Sequence, residues 1–231
     1  SSAAGRLRML GMLTVRSAVA VRGGMRSRRR TASPVCGDIA QVPHKRQNAA
    51  TPSHSSGSSV KKEDVSLWLF KSEPEDYSLQ DLEKEGVGCW DGVRNAEARN
   101  FMRDRMKVGH QGFFYHSNCP DPAIVGIVEV VRAGYPDHTA FDRKDKHFDA
   151  KSDPSNPKWY MVDVQFIRAL KRPITLQELR LHSGSSNKGK RVLSDALQEM
   201  ALFKRSRLSV QPVRQEEWDF VLSLEEQEPT T

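Results

Sequence analysis

Several groups of residues in the chain have types that suit chemistry. Gly184 to Lys190 (GSSNKGK) matches the first seven positions of the phosphate-binding pattern GxxxxGK[ST], but Arg191 stands at the eighth, where a hydroxyl must ligate magnesium. The preceding LQELRLH is helical in pattern, whereas a phosphate loop follows a strand so that its amides converge with a helix N-terminus on the phosphate. Nucleotide hydrolysis is not expected. Lys188, Lys190 and Arg191 lie near Lys204, Arg205 and Arg207 in sequence and suit a solvated loop or a nucleic-acid backbone contact. Cys89, His116 and Cys119 could supply a thiol and a base, yet no nucleophile signature surrounds them. His138, Asp142, Asp145 and His147 crowd a long loop of mixed charge, a pattern more typical of a solvated segment than of a metal site. No catalytic residue, metal or cofactor is expected.

What remains is an aromatic and polar set gathered at strand ends: Lys71, Ser72 and Glu73; Trp90, Asp91, Arg94 and Asn95; Tyr115, His116 and Ser117; and Trp159. A flipped or single-stranded base is held by stacking on an aromatic plane and by hydrogen bonds to its edge, and this set has both kinds of group. Trp90 would supply the plane, and Ser72, Asn95 and His116 the edges. The spacing is equally that of core tryptophans with a helix cap running from Asp91 to Asn95.

The elements that must carry these residues follow from pattern. Leu67 to Lys71 (LWLFK) reads as a buried strand closed by Ser72, Glu73 and Pro74. Ser78 and Asp81 form a capping-box pattern at the start of the short helix SLQDLEKE, which Gly86 ends. From Arg94 to Lys107 the pattern is helical: Ala98, Phe101, Met102 and Met106 fall on one arc, and Arg99, Arg103 and Lys107 form a basic flank beside it. Gly112 to Ser117 and Ala123 to Arg132 read as a hairpin around SNCPDP. Pro157 to Ile167 alternates, with Tyr160, Val162, Val164 and Phe166 on one face and Trp159, Met161, Asp163 and Gln165 on the other. Helices near Thr175 to Leu181 and Leu193 to Phe203, a strand at 207–211 and a helix from Arg214 to Leu224 complete the chain. Strands scattered among short helices without a βαβ repeat predict an α+β fold with a small curled sheet or barrel.

Charge divides the chain in two. The 231 residues carry 36 Lys+Arg against 29 Asp+Glu, a net +7, with mean hydropathy of −0.62. Residues 1–60 hold ten basic residues and one acid, Asp38, so the remainder is slightly acidic. All 17 aromatics lie after residue 60, beginning at Trp68, so a packed core is expected only there. Residues 1–64 are predicted to be a disordered basic tail and Ser-rich linker. Its scattered arginines suit an organellar, mitochondrial-type transit segment, and the cluster Arg26, Arg28, Arg29 and Arg30 equally suits nuclear import. No stretch is apolar for the roughly 18 residues of a membrane span. Three cysteines without a CxxC pair are expected to be reduced thiols.

The motifs KSEP (71–74), CWDGVRN (89–95), ARNFMR (98–103), FFYHSNC (113–119), IVGIVEVV (124–131), YPDHTAFD (135–142), NPKWYMVDVQF (156–166) and RLSVQP (207–212) closely resemble, in order, those of the EVE domain. The resemblance implies such a domain over 65–228, with a PUA-like fold: a small curled β-barrel with surrounding helices. It further implies a non-enzymatic, nuclear reader of modified bases, particularly modified cytosine in DNA, with RNA as the other possible nucleic-acid partner and a monomeric state expected. An interaction scaffold in a nuclear complex and a Cys/His-dependent enzyme are the alternatives. The related YTH domain also has a Lys-Ser on its first strand followed by a Trp, and that similarity makes Ser72 and Trp90 the leading pocket residues. Lys71, Glu73, Asn95, Tyr115, His116, Ser117 and Trp159 complete the expected pocket, and Arg94, Arg99 and Arg103 are the expected phosphate contacts. With the excess charge in the tail, binding is expected to rest on this local flank and pocket more than on bulk charge.

Overall fold

The computed structural model describes residues 66–183 and 195–229; the GSSNKGK motif, the start of the 193–203 helix and the basic tail lie outside them. Among these residues six strands form one mixed sheet: β1 (Leu67–Ser72), β2 (Val87–Trp90), β3 (Gln111–His116), β4 (Ala123–Pro136), β5 (Tyr160–Thr175) and β6 (Val210–Val213). Their order is β2-β5-β4-β3-β1-β6, with β1 and β3 parallel and every other pair antiparallel. Among the described residues five α-helices accompany them: α1 (Leu79–Glu85), α2 (Ala96–Asp104), α3 (Leu176–His182), α4 (Ala201–Lys204) and α5 (Gln215–Glu225). The α+β expectation holds. The barrel, however, stays open, because no ladder joins β2 to β6 among the described residues.

β1 shows why its sequence is apolar without alternation. Leu67 to Phe70 are all buried, and the two faces feed different cores. Trp68 and Phe70 join Trp90, Phe114, Val162, Val164 and α2's Ala98 and Met102. Leu67 and Leu69 join Phe113, Tyr115, Ile124, Leu179 and α5's Trp218 and Val221. A strand covered on both faces must be hydrophobic at every position, as in parallel sheets generally. β4 and β5 are 14 and 16 residues long, and their pairing shifts register four times, which bends the sheet around the cores.

Ser78 caps α1 as its spacing predicts, its hydroxyl accepting from the Asp81 amide while the Asp81 carboxylate accepts from the Ser78 amide. The expected helix over 94–107 shortens to α2, because Asn95 is its N-cap and the chain turns at Arg105. Of the expected arc, Ala98, Met102 and Met106 are buried and Phe101 is partly buried against the same core, while Met106 and Lys107 lie beyond the end of the helix. The described part of 193–203 is two separate turns, 195–197 and α4, broken at Met200. The last strand starts three residues later than expected, since Gln211 Nε2 donates to the carbonyls of Arg205 and Leu208 and holds the preceding segment in a turn.

Candidate base-binding site

The opening of the barrel is where the sheet's two ends approach each other, and a cavity of about 180 Å³ lies there. Its walls come from the end of β1 (Lys71, Ser72, Glu73), the end of β2 (Cys89, Trp90), and Ser209 just before β6. Asp76, Tyr77, the segment 91–94 and His147 complete it. At roughly 30 Å³ per water it would take about six waters, and it is smaller than the roughly 300 Å³ of the smallest drug-sized pockets. That size suits one planar ring.

Ser72 is fixed at the rim by donating its hydroxyl to the Tyr77 carbonyl at 2.6 Å, which leaves its oxygen lone pairs for another donor. Tyr77 in turn donates to Glu85. Lys71 Nζ donates to the Ser206 carbonyl at 3.0 Å, and partial burial lowers its ammonium from the usual lysine range. Glu73 accepts from Asn118 Nδ2. Trp90 is only 6% exposed and meets Phe70 and Phe114 edge to face, with centroids at 5.0 and 5.4 Å. Three carboxylates, those of Glu73, Asp76 and Asp91, face or border the cavity beside the basic Lys71 and Arg94.

Arg94 fastens the long loop after β4 to this wall. Its Nη1 donates to Asp137 at 2.7 Å, Nη2 to Thr139 Oγ1 at 3.0 Å, and Nε to the His147 carbonyl at 2.7 Å. Asp137 is fully buried and also accepts from the Gly92 amide at 3.0 Å. Burial alone would push its carboxyl up, but hydrogen bonds from Thr139 and Arg94, with the Arg94 charge, outweigh burial and leave it below the usual carboxylate range. Gly92 has φ of +72° and a Cβ there would stand 2.6 Å from the His147 ring, so only glycine satisfies both the backbone and the contact.

The other expected residues support the site without lining the cavity. Asn95 Oδ1 accepts from the Glu97 and Ala98 amides and is spent as the α2 cap. Tyr115 is buried in the opposite core, where desolvation pushes its phenol up to about 12. The Ser117 amide and hydroxyl both donate to the Ser72 carbonyl, pinning the end of β1. Trp159, 6% exposed, donates Nε1 to Asp149 at 2.7 Å, and that bond, with the Lys151 amide and Lys158, draws the Asp149 carboxyl down to about 2. Lys158, Arg94 and Arg99 cover the Trp159 ring at 4.7 to 5.6 Å, and Arg103 lies over Tyr160. Arg94, expected at a phosphate, has its donors committed to protein acceptors. Arg99, Arg103 and Lys158, which also donate to Asn100, Asp104 and Asp149 respectively, form a basic ridge over Trp159 and Tyr160.

His116 Nε2 accepts the Leu79 amide at 3.1 Å, satisfying an orphan donor in the first turn of α1. Burial lowers the imidazole from its ordinary 6.5, in keeping with the neutral acceptor form. The folded value lies below the unfolded one, so this contribution is full above about pH 6.5 and is lost as pH falls through the folded value. Urea unfolding from pH 8 to 5 is expected to show that decline in wild type and a shallower one in His116→Gln, whose carbonyl accepts without titrating.

Tyr77, Asp76, Gly92, Val93 and Ser209 also line the cavity, outside the expected set. The Asp91-Gly92 pair is a turn signal that could have flagged the bend, and nothing local distinguishes Ser209. His147, read as part of a mixed-charge loop, packs its ring on Gly92 with Nδ1 3.1 Å from Asp145. Cys89 lines the cavity and its sulfur accepts from the Tyr135 hydroxyl at 3.6 Å, and Cys119 is a free cysteine among the described residues.

A family model described as the EVE domain matches residues 66–224. Thymocyte nuclear protein 1 of Danio rerio is 51% identical over 179 residues, covering 73% of this chain and 75% of the relative. The crystal structure of human THYN1 protein in complex with 5-methylcytosine containing DNA is 48% identical, covers 71% of this chain and 99% of that one, and has a TM-score of 0.63. A solved structure from Pseudomonas syringae is 40% identical with a TM-score of 0.61, covering 69% and 99%. With the matched region spanning the whole sheet and both cores, the chain belongs to the EVE-domain family.

Proposed function

We propose that the protein is a non-enzymatic nuclear reader of modified cytosine in DNA, taking the base into the cavity at the barrel opening and acting as a monomer. The single observation that carries this reading is the cavity itself: it is sized for one ring, walled by Ser72 and Trp90, and polar at its edge. The relative solved with 5-methylcytosine containing DNA supports the ligand class. The Arg99, Arg103 and Lys158 ridge would position the phosphates while the cavity specifies the base. The nuclear assignment rests on the family resemblance and on relatives called thymocyte nuclear protein. Domain bounds of 65–228, after a tail that targets the protein, belong to the same proposal.

The test is a fluorescence binding titration with oligonucleotides that differ only by one cytosine methyl. Wild type is expected to prefer the methylated strand by about tenfold, and Ser209→Trp, which fills the cavity from its wall, to bind both equally and weakly. Equal binding of both strands by wild type would refute the proposal. Retained preference in Ser209→Trp would move the site elsewhere.

A further inference from the structure

Trp90 is the leading aromatic of the cavity, but its geometry does not suit a stacking plate. It is 94% covered, and Phe70 and Phe114 pack against it at steep interplanar angles inside the core. A base needs an open face of the ring to stack. The indole N–H is different. It makes no hydrogen bond among the described residues, whereas the N–H of Trp68 donates to His110 and that of Trp159 to Asp149. Nor is it sealed in the interior, since Ser152 Oγ is the one buried, unpartnered polar side-chain atom among those residues. The open space beside Trp90 is the cavity.

We infer that Trp90 is the pocket's hydrogen-bond donor to the bound base, and that with the carboxylates at the rim it selects an edge carrying an acceptor beside an amine, as in cytosine, against thymine. The inference rests on the base-reading role proposed above and names the residue that sets its specificity. Cytosine offers O2 and N3 as acceptors and its N4 amine as donor. A carboxylate of Glu73, Asp76 or Asp91 accepts from such an amine, and Trp90 donates to the acceptor. 5-Methylcytosine and thymine share the methyl group and differ only on this edge: thymine presents a carbonyl in place of the amine and an N3–H in place of the lone pair. Carboxylate and carbonyl oxygens would then face each other, so discrimination comes from repulsion as well as attraction.

The full-length protein and Trp90→Phe, which keeps an aromatic ring but removes the N–H, are titrated with strands holding 5-methylcytosine, cytosine or thymine at one position. Wild type is expected to bind 5-methylcytosine about tenfold more tightly than thymine, and Trp90→Phe, with an unchanged circular dichroism spectrum, to bind 5-methylcytosine about tenfold more weakly than wild type. A folded Trp90→Phe with wild-type affinity overturns the donor role while leaving base reading intact. Should Trp90→Phe fail to fold, equal wild-type binding of thymine and 5-methylcytosine overturns the edge selection. A wild type that does not separate methylated from plain cytosine overturns the base-reading role itself, and the donor role with it.

Discussion

Replacing Arg94 with alanine is expected to cost the domain about 3–5 kcal/mol, because it leaves the Asp137 carboxylate buried without its cation. For a domain of this size that is a fall in melting temperature of about 10 °C. Asp137 keeps Thr139 and the Gly92 amide as donors, but neither supplies charge. Arg94→Lys restores the charge without the fork, and it cannot reach Asp137, Thr139 and the His147 carbonyl together, so it is expected to recover less than half of the loss. The pH dependence separates this account from simple loss of packing. In wild type the folded carboxyl sits below its unfolded value, so the pair contributes fully above the unfolded value near 3.8 and loses its contribution as pH falls through the folded one. In Arg94→Ala, burial dominates and Asp137 takes up its proton at a higher pH. The stability gap between the two proteins, measured by urea unfolding, should therefore be widest near pH 7 and narrow toward pH 4. A gap independent of pH would mean that Arg94 acts through packing alone.

The same pair shows where sequence reading stops. Local signals carried the elements: the uninterrupted LWLF of β1, the Ser78 and Asp81 box, the apolar arc of α2 and the alternation of β5 all act within a few residues. Arg94 and Asp137 are 43 positions apart, and His147 packs on Gly92 from 55 away, so neither contact leaves a periodic trace. Strand β2 was missed for a related reason. Its four residues, VGCW, are too few to show a period of two, and its identity comes from pairing with Val162 to Gln165 of β5. Residue type also said which side chains could hold a base, but not which part of each would be presented. Asn95 had to choose between a base edge and the α2 amides, and an unsatisfied helix N-terminus takes it. Trp90 had to choose between plane and edge, and near-complete burial against two phenylalanines removes the plane.

The setting of Trp90 depends on the face of β3 that packs against it, and adjacent residues of that strand give a paired expectation. Phe113 and Phe114 are both fully buried, and strand geometry sends them to opposite faces. Phe113 stacks on Trp218 of α5 with centroids 4.0 Å apart, in the core remote from the cavity. Phe114 stands perpendicular to Trp90 at 5.4 Å and also contacts the Tyr77 and His116 rings, so it braces three residues at or beneath the pocket. Truncating either to alanine should cost about 3–5 kcal/mol through lost transfer energy and the cavity left behind. Stability alone will not tell them apart. Binding should: Phe113→Ala, kept folded at low temperature, is expected to retain the wild-type preference for a methylated strand. Phe114→Ala should lose most of it, because Trp90 is free to tilt into the vacated space and its N–H leaves the cavity edge. Should the alanine variants prove too unstable, Phe→Leu at each position keeps more volume and preserves the contrast. Equal loss of preference in both would show that the pocket responds to global stability and not to the brace beneath Trp90.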